Sequence, residues 1–145
     1  TLARVDHTMV EGDKPFWSGF HAALVFDTPV PAIVELVNAI RSDYAVLITT
    51  GRGEALRWPM MLWLNKHEIR FDHIFMRGRN DHRPDQEVKR DLYVNEIARI
   101  YDVQFVIDDR PSVCDMWREI GLPLLQVSQP KTIQPFEFLR GQEDE

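Results

Sequence analysis

The sequence has few of the features that mark secreted or membrane proteins. Cysteine occurs once in 145 residues, at Cys114, so no disulfide can form within the chain. A single thiol is typical of the reducing cytoplasm, which is the compartment we expect. No apolar stretch approaches the ~20 residues of a membrane-spanning helix, and no basic-then-apolar segment typical of a signal peptide opens the chain. We therefore expect no membrane partner.

Basic residues are also scarce relative to acidic ones. Lysine and arginine total 17 against 23 aspartates and glutamates, which gives a formal net charge of −6 at pH 7. This balance argues against broad, sequence-independent binding along nucleic acid, which depends on cations that neutralise many phosphates. A small site that binds one terminal phosphate is still compatible with this net charge.

What the sequence does contain is an alternation of helical and strand patterns. Its 145 residues and 44% apolar content suit one compact domain with a single core. The alternation predicts right-handed crossovers and a three-layer α/β sandwich with a Rossmann-like parallel sheet. The predicted helices span residues 31–41, 53–67, 85–101 and 112–120, and the predicted strands span residues 44–49, 71–76, 104–107 and 123–127.

Three positions are expected to limit these helices. Pro59 should start a new segment or kink the second helix, because proline has no amide hydrogen. Ser112 is a candidate N-cap of the last helix, although Pro111 could also be its first helical residue. Gly121 suits the C′ position that ends the same helix.

Two segments fall outside the alternation. Residues 6–29 have little periodicity and carry aromatic residues among glycines and prolines, so we expect a lid over the site or a packed flap. Residues 140–145 are polar and acidic, and we expect a frayed tail. The domain itself is expected to span residues 1–139.

The candidate site residues lie where predicted strands end. Thr50, Gly51 and Arg52 follow one strand, and Asp108 and Asp109 follow another. Ligands bind at the carboxyl ends of the strands in such sheets. Two neighbouring carboxylates repel each other and lose solvation, so a cation must offset that cost, most simply a metal ion or a lysine. Mg²⁺ fits, because it binds through one or two carboxylates and keeps several waters.

Lys89, on the helix between these strands, completes a set that suits phosphate chemistry. A hydroxyl and an ammonium can hold phosphoryl oxygens while the carboxylates hold the metal. Each residue also has a structural explanation. The aspartates could favour the N-terminus of the next helix, Lys89 could be solvated, and Thr50 and Arg52 could form an ordinary turn.

Two further segments allow alternative interpretations. Residues 77–83 contain three arginines and a histidine, which could form a solvated loop or a rim that contacts the nucleic-acid backbone. Large apolar residues of the second helix are expected in the core or at a subunit interface, in which case the protein would be a homo-oligomer. They are Trp58, Met60, Met61 and Trp63.

The order of the site residues resembles motifs II, III and IV of the haloacid dehalogenase (HAD) superfamily of phosphotransferases. Thr50 matches motif II, Lys89 matches motif III, and Asp108 with Asp109 matches motif IV. The sequence is most similar to the 3′-phosphatase domain of T-even phage-type polynucleotide kinase-phosphatases, and the resemblance implies a HAD-like fold with a minimal cap. The supporting segments are residues 50–52, 83–89, 107–110, 116–121 and 126–127.

The resemblance implies a role for each site residue. Thr50 would donate a hydrogen bond to the transferring phosphoryl group, and Lys89 would bridge that group and the nucleophilic carboxylate. Asp108 would be a Mg²⁺ ligand, with Asp109 a second ligand or the partner of Lys89 and a metal-bound water. The residues implied to bind or orient the substrate are Gly51, Arg52 and Asp85.

The activity implied is removal of a terminal 3′-phosphate, or of a 2′,3′-cyclic phosphate, from DNA or RNA ends during repair, through an aspartyl-phosphate. A kinase domain in the same polypeptide is an expected partner. The opening Thr1-Leu2-Ala3 resembles the tail of motif I, Asp-x-Asp-Gly-Thr-Leu, but the sequence does not contain the two aspartates. We expect them, with the first strand, to precede Thr1 in a longer polypeptide.

Two other functions are compatible with the same residues. The first is a HAD phosphatase that acts on a small phosphometabolite or nucleotide. The second is a non-catalytic HAD-like domain that lacks its nucleophile. The residues ahead of Thr1 would separate the second from an enzyme.

Overall fold

The computed structural model describes residues 3–4 and 28–128. Predictions that concern residues 5–27 and 129–145, including most of the expected lid and the acidic tail, lie outside the described residues. The strands are β1 (Ala3–Arg4), β2 (Thr28–Pro29), β3 (Leu47–Gly53), β4 (His73–Arg77), β5 (Val106–Asp108) and β6 (Leu124–Gln126). The helices are α1 (Pro31–Ile40), α2 (Arg57–Lys66), α3 (Asp85–Asn95) and α4 (Pro111–Ile120).

The longer strands form parallel pairs, as the alternating sequence predicts. β3 pairs with β4 and β5 pairs with β6, both in parallel, whereas β1 and β2 are antiparallel. Asp108 lies opposite Gln126 at the end of the β5–β6 ladder. Within the described ranges, no backbone ladder joins one parallel pair to the other. The prediction of a mixed α/β fold with parallel strands is confirmed.

Buried apolar side chains form three clusters. The first joins α2 to β3 and β4 and contains the fully buried Leu64. The second packs α3 against β4 through Phe75, and the third packs α4 against β5 and β6 through Trp117. Tyr93 of α3 contacts both of these clusters, so α3 is held between the two parallel pairs. Each fully buried large side chain contributes ~1.5–3 kcal/mol to this packing.

The apolar residues of α2 divide between core and surface. Trp63 is 2% exposed, and Met60 packs against the same cluster, so both belong to the core. Trp58 and Met61 are 68% and 39% exposed. None of the helices within residues 28–128 has the length and apolar character needed to cross a membrane.

The helix limits agree only in part with the predicted ones. A short 3₁₀ turn precedes Arg57, where α2 begins, so Pro59 lies in the first turn and lacks only an amide that would have no helical partner. Of the two alternatives for the start of α4, the structure has Pro111 as the first helical residue, and Arg110, not Ser112, occupies the N-cap position. Gly121 adopts a left-handed conformation with φ of 90° and ends α4, as expected.

Candidate functional site

Asp108, the last residue of β5, is the buried charge at the centre of the site. It is 4% exposed, and among the described residues it is the only polar or charged one that is buried. Lys89, on the second turn of α3, places its Nζ 2.7 Å from Oδ2 of Asp108. Since the Lys89 side chain is only 12% exposed, the two charges offset each other's loss of solvation. The lysine is thus the cation that contacts Asp108.

Three further donors fix the Asp108 carboxylate. The indole Nε1 of Trp117 donates to Oδ2 over 3.3 Å. The backbone amides of Asp109 and Arg110 donate to Oδ1 over 2.9 and 3.4 Å. Each carboxylate oxygen therefore accepts hydrogen bonds from two donors. The fixed carboxylate in turn holds the ammonium of Lys89 in one position.

The end of β3 leaves the ladder where the predicted motif lies. Thr50 is opposite Met76 and Gly53 is opposite Arg77, so Gly51 and Arg52 form an irregularity between two paired positions. The amide of Arg52 donates to Oγ1 of Thr50 over 3.1 Å. This bond fixes the hydroxyl oxygen, while the hydroxyl can still donate its own hydrogen to a ligand.

Gly51 lies directly against the carboxylate of Asp85, the first residue of α3. A Cβ at position 51 would lie 2.7 Å from Cγ of Asp85, closer than side chains approach one another. Only glycine therefore fits here without moving Asp85. The carboxylate is also favoured at this point because it lies at the positive end of the α3 dipole.

Arg77 joins the Thr50–Arg52 segment to the start of α3. Its Nε donates to the carbonyl of Gly51 over 2.5 Å, and its Nη2 donates to Oδ1 of Asp85 over 2.5 Å. Its Nη1 donates to the carbonyls of Asp81 and Arg83 over 3.1 and 2.5 Å. The side chain is 15% exposed. The planar guanidinium thus replaces the ladder bonds that β3 gives up at Gly51.

Arg110 connects this group to Asp108. Its backbone amide donates to Asp108, and its guanidinium forms an ion pair with Oδ2 of Asp85. The structure therefore brings Lys89 to Asp108, and Gly51 to Asp85, and links both pairs through Arg110. Thr50 makes no direct bond to Lys89 or Asp108 within the described part of the chain. Arg52 and Asp109 are partly buried beside these residues.

The sequence did not reveal the roles of Arg77, Arg110 and Trp117. Residues 77–83 were expected to form either a solvated loop or a phosphate-binding rim. Arg77 instead bonds inward, and Arg83 forms ion pairs with Asp81 and Asp91. The available signal was position, since Arg77 is the last residue of β4 and Arg110 lies two residues after the end of β5, beside the predicted site.

The acidic side of α3 carries a separate cavity. Its volume is about 340 Å³, and none of the predicted site residues lines it. Its charged lining residues are Glu54, Asp81, Arg83, Asp91 and Glu96. Hydrogen bonds from the side chain and amide of Arg83 lower the pKa of Asp81 to about 2.

Cys114, in the first half of α4, is buried in the core and its thiol is unreactive. It is fully buried, and burial raises the pKa of its thiol, with the negative charge of Asp108 adding to the effect. The thiol therefore stays protonated near neutral pH. This agrees with a structural role for the residue.

The donor chemistry of the site suits a hard cation. Within residues 3–4 and 28–128, no group of three or more histidine, cysteine, aspartate or glutamate side chains is placed to hold a metal ion. A single carboxylate such as that of Asp109 fits Mg²⁺ nevertheless, because this ion can bind through one carboxylate and complete its shell with water and phosphate oxygens, whereas both oxygens of Asp108 already accept hydrogen bonds.

Comparison with known proteins identifies the family. Residues 5–131 match the family model of the polynucleotide kinase PNKP phosphatase domain. The chain belongs to this family. The resemblance to HAD-type phosphatases that the motifs indicated is thereby confirmed.

Named relatives of this PNKP phosphatase domain are larger than the chain. A protein of Autographa californica nuclear polyhedrosis virus, named as a bifunctional polynucleotide kinase/RNA ligase, is 33% identical over 82 residues, which cover 56% of this chain and 12% of that protein. A solved structure of the Pnkp1/Rnl/Hen1 complex matches with a TM-score of 0.74 and 31% identity over 90% of this chain and 43% of that one. A structure of the Pnkp1/Rnl/Hen1 RNA repair complex matches with a TM-score of 0.75 and 32% identity over 87% and 39%. The chain thus spans less than half of each.

Proposed function

We propose that this chain is the phosphatase part of a nucleic-acid repair protein and that it removes a terminal 3′-phosphate from RNA ends. The observation that carries the proposal is the ion pair between the partly buried Lys89 and the buried Asp108 at the end of β5, in a chain of the PNKP phosphatase family. RNA is the favoured substrate because the relatives are named for RNA ligation and RNA repair. DNA 3′-phosphates and 2′,3′-cyclic phosphates are further candidate substrates.

The side chains divide the work on the phosphoryl group. The Thr50 hydroxyl donates a hydrogen bond to one phosphoryl oxygen, and the Lys89 ammonium, held by Asp108, stabilises the negative charge that builds up during transfer. Arg52 and the backbone of Gly51 bind the substrate from the end of β3. Asp85 orients these groups through its ion pairs with Arg77 and Arg110, and does not itself touch the phosphate.

The two motif IV aspartates take different roles in this proposal. Both oxygens of Asp108 already accept hydrogen bonds from four donors, one of them Lys89. Asp109 is therefore the carboxylate that would hold Mg²⁺, and Asp108 would position Lys89. When bound, Mg²⁺ would neutralise phosphoryl oxygen charge. The proposal therefore differs from the expectation that Asp108 is a Mg²⁺ ligand and that Asp109 is either a second ligand or the partner of Lys89, because it is Asp108 that pairs with Lys89.

Two further groups that the reaction needs, the nucleophile and the acid-base group, are assigned to the intact polypeptide. We expect the motif I aspartates to supply the nucleophile and the acid-base group, and to form the aspartyl-phosphate. A kinase and a ligase are the expected companions, as in the viral relative's name. The unpaired Cys114 thiol suits a reducing compartment such as the cytoplasm.

Substrate competition tests the proposal against the small-metabolite alternative. The intact protein is given a limiting 3′-phosphorylated oligoribonucleotide together with a nucleoside 3′-monophosphate, and phosphate release from each is measured. We expect the oligonucleotide to be used at least tenfold more efficiently, as ratios of kcat/KM. Equal use would favour the metabolite phosphatase, and no release from either would favour the non-catalytic domain.

A further inference from the structure

Arg110 is an exposed arginine whose position is fixed at both ends. Its amide donates to the Asp108 carboxylate, so its backbone is held beside the proposed phosphoryl site. One guanidinium nitrogen forms an ion pair with Oδ2 of Asp85, while the partly buried Arg77 holds Oδ1. The Arg110 side chain is nevertheless 61% exposed. Its remaining guanidinium N–H groups are therefore accessible to solvent, while its backbone and one guanidinium nitrogen are held in place.

The charges around Arg110 do not cancel. Two arginines, Arg77 and Arg110, share the single carboxylate of Asp85, which leaves one positive charge in excess. The neighbouring Arg83 is paired with two carboxylates, Asp81 and Asp91. This group therefore has one negative charge in excess. That acidic group contacts Arg77 through the backbone carbonyls of Asp81 and Arg83, which accept hydrogen bonds from Nη1 of Arg77.

Ion pairs between described residues also involve other arginines, and in each of these groups carboxylates balance or exceed the arginine charge. Each of them has one arginine for one carboxylate, or more carboxylates than arginines. They are Arg41 with Asp72, Arg57 with Glu54, Arg83 with Asp81 and Asp91, Arg90 with Glu119, and Arg118 with Asp115. Among these groups, the one that contains Arg110 is alone in having a surplus cation to offer an anion.

We infer that Arg110 contacts the internucleotide phosphodiester next to the terminal phosphate, and that it makes the site prefer a polynucleotide to a mononucleotide. This rests on the function proposed above, because it assumes that the terminal phosphate lies at Lys89 and Thr50. A guanidinium with free N–H groups in one plane suits two phosphate oxygens. One such contact is compatible with a chain of net charge −6, which argues against binding of nucleic acid along a broad basic surface.

Binding to a product-like oligonucleotide tests this without requiring turnover. The probe is a fluorescein-labelled single strand with a 3′-hydroxyl, and fluorescence anisotropy is measured with the intact protein at several salt concentrations. Arg110→Gln should weaken binding about fivefold and reduce the salt slope by about 0.7, the value for one contact to a single strand. A neutral methylphosphonate in place of the last phosphodiester should weaken wild-type binding equally and should add nothing to Arg110→Gln.

Arg118→Gln is the matched control. Arg118 is 51% exposed and lies on the helix that follows Arg110, but its ion pair with Asp115 is neutral, so its loss should leave binding unchanged. Unchanged binding by Arg110→Gln, or losses that add to the methylphosphonate effect, would overturn the inference. So would an equal loss of kcat/KM on a nucleoside 3′-monophosphate, because Arg110 would then contact the terminal phosphate. A wild type that binds but releases no phosphate would defeat only the proposed function.

Discussion

Lys89 and Asp108 lose solvation together, so the free energy of each charge depends on the other. Replacing Lys89 by Met leaves the Asp108 charge buried beside Trp117, and we expect unfolding in urea to show a loss of ~3 kcal/mol. Asp108→Asn should cost a similar amount, since it strands the ammonium. The double variant should lose clearly less than the sum of the two, and additive losses would show that the pair does not interact.

Asp108 and Asp109 should respond differently to magnesium. Asp109→Asn should raise the Mg²⁺ concentration for half-maximal phosphate release at least tenfold. Asp108→Asn should lower kcat at saturating Mg²⁺, because it releases Lys89 from its position. The measurement is a Mg²⁺ titration of initial rates. A larger Mg²⁺ shift for Asp108→Asn would mean that Asp108 is the main ligand.

Asp81 titrates far below an ordinary aspartate. Its pKa is about 2 instead of 3.8, chiefly because of the hydrogen bond from the Arg83 side chain. A depressed pKa means that the ionised form favours the folded state, so this contribution is present above pH 4 and is lost as the pH falls through 2. Carboxyl NMR should show a midpoint near 2 for the wild type.

Substitution of the arginine tests that cause. In Arg83→Gln the midpoint of Asp81 should rise towards 3.8 without reaching it, since the backbone amide of residue 83 still donates to the carboxylate. Asp91→Asn removes another partner of Arg83 but not this bond, and should keep the midpoint near 2. An unchanged midpoint in Arg83→Gln would contradict the assignment.

At the scale of elements, the end of β3 and the start of α3 act as one unit. Gly51→Ala must push the Asp85 carboxylate away, and this would disturb both arginines that it holds. We expect a loss of ~1–3 kcal/mol in unfolding free energy and at least a tenfold loss of kcat/KM. Gly53→Ala is the matched control two residues on, because its Cβ would meet nothing within 4 Å.

Gly53→Ala should be neutral or slightly stabilising, since alanine restricts the unfolded chain. Both variants are compared by chemical denaturation and by initial rates on a 3′-phosphorylated oligonucleotide. If Gly51→Ala behaves like Gly53→Ala, the carboxylate does not depend on glycine at position 51. The proposed coupling between β3 and α3 would then be wrong.

Elements were predictable from sequence where periodicity was long, and less so at their ends. The α3 pattern continued to residue 101, yet the helix ends at Asn95 and a 3₁₀ turn at 97–99 follows, so apolar spacing persists beyond the helix itself. β3 begins three residues later than the pattern suggested and continues to Gly53. The extension follows from pairing with β4, which a local pattern does not contain.

The site residues that sequence reasoning found are those with a recognisable order along the chain. Thr50, Lys89 and Asp108 fall at predicted strand ends or on a predicted helix, so their type and spacing were informative. Arg77 and Arg110 act through side chains that reach groups 26 and 25 residues away. Such contacts depend on which strands become neighbours, and the sequence alone does not specify the direction of a long side chain.

For the whole molecule, α3 is the element on which the site depends. Its Tyr93 packs into two of the three core clusters, its Asp85 holds two arginines, and its Lys89 reaches the end of β5. One helix, α3, therefore packs against both parallel strand pairs and also carries side chains of the proposed phosphoryl site. The net charge of −6 leaves specificity to individual groups rather than to a basic surface.

The most direct test of the central claim is phosphate release from a 3′-phosphorylated oligoribonucleotide by the intact polypeptide, with the wild type beside Lys89→Met and Arg118→Lys. Arg118→Lys is the control, because it keeps a surface charge outside the site. We predict Mg²⁺-dependent release that leaves a 3′-hydroxyl, unchanged in Arg118→Lys and reduced at least a hundredfold in Lys89→Met. Undiminished release by a folded Lys89→Met protein would contradict the claim that the Lys89–Asp108 pair forms the phosphoryl-transfer site.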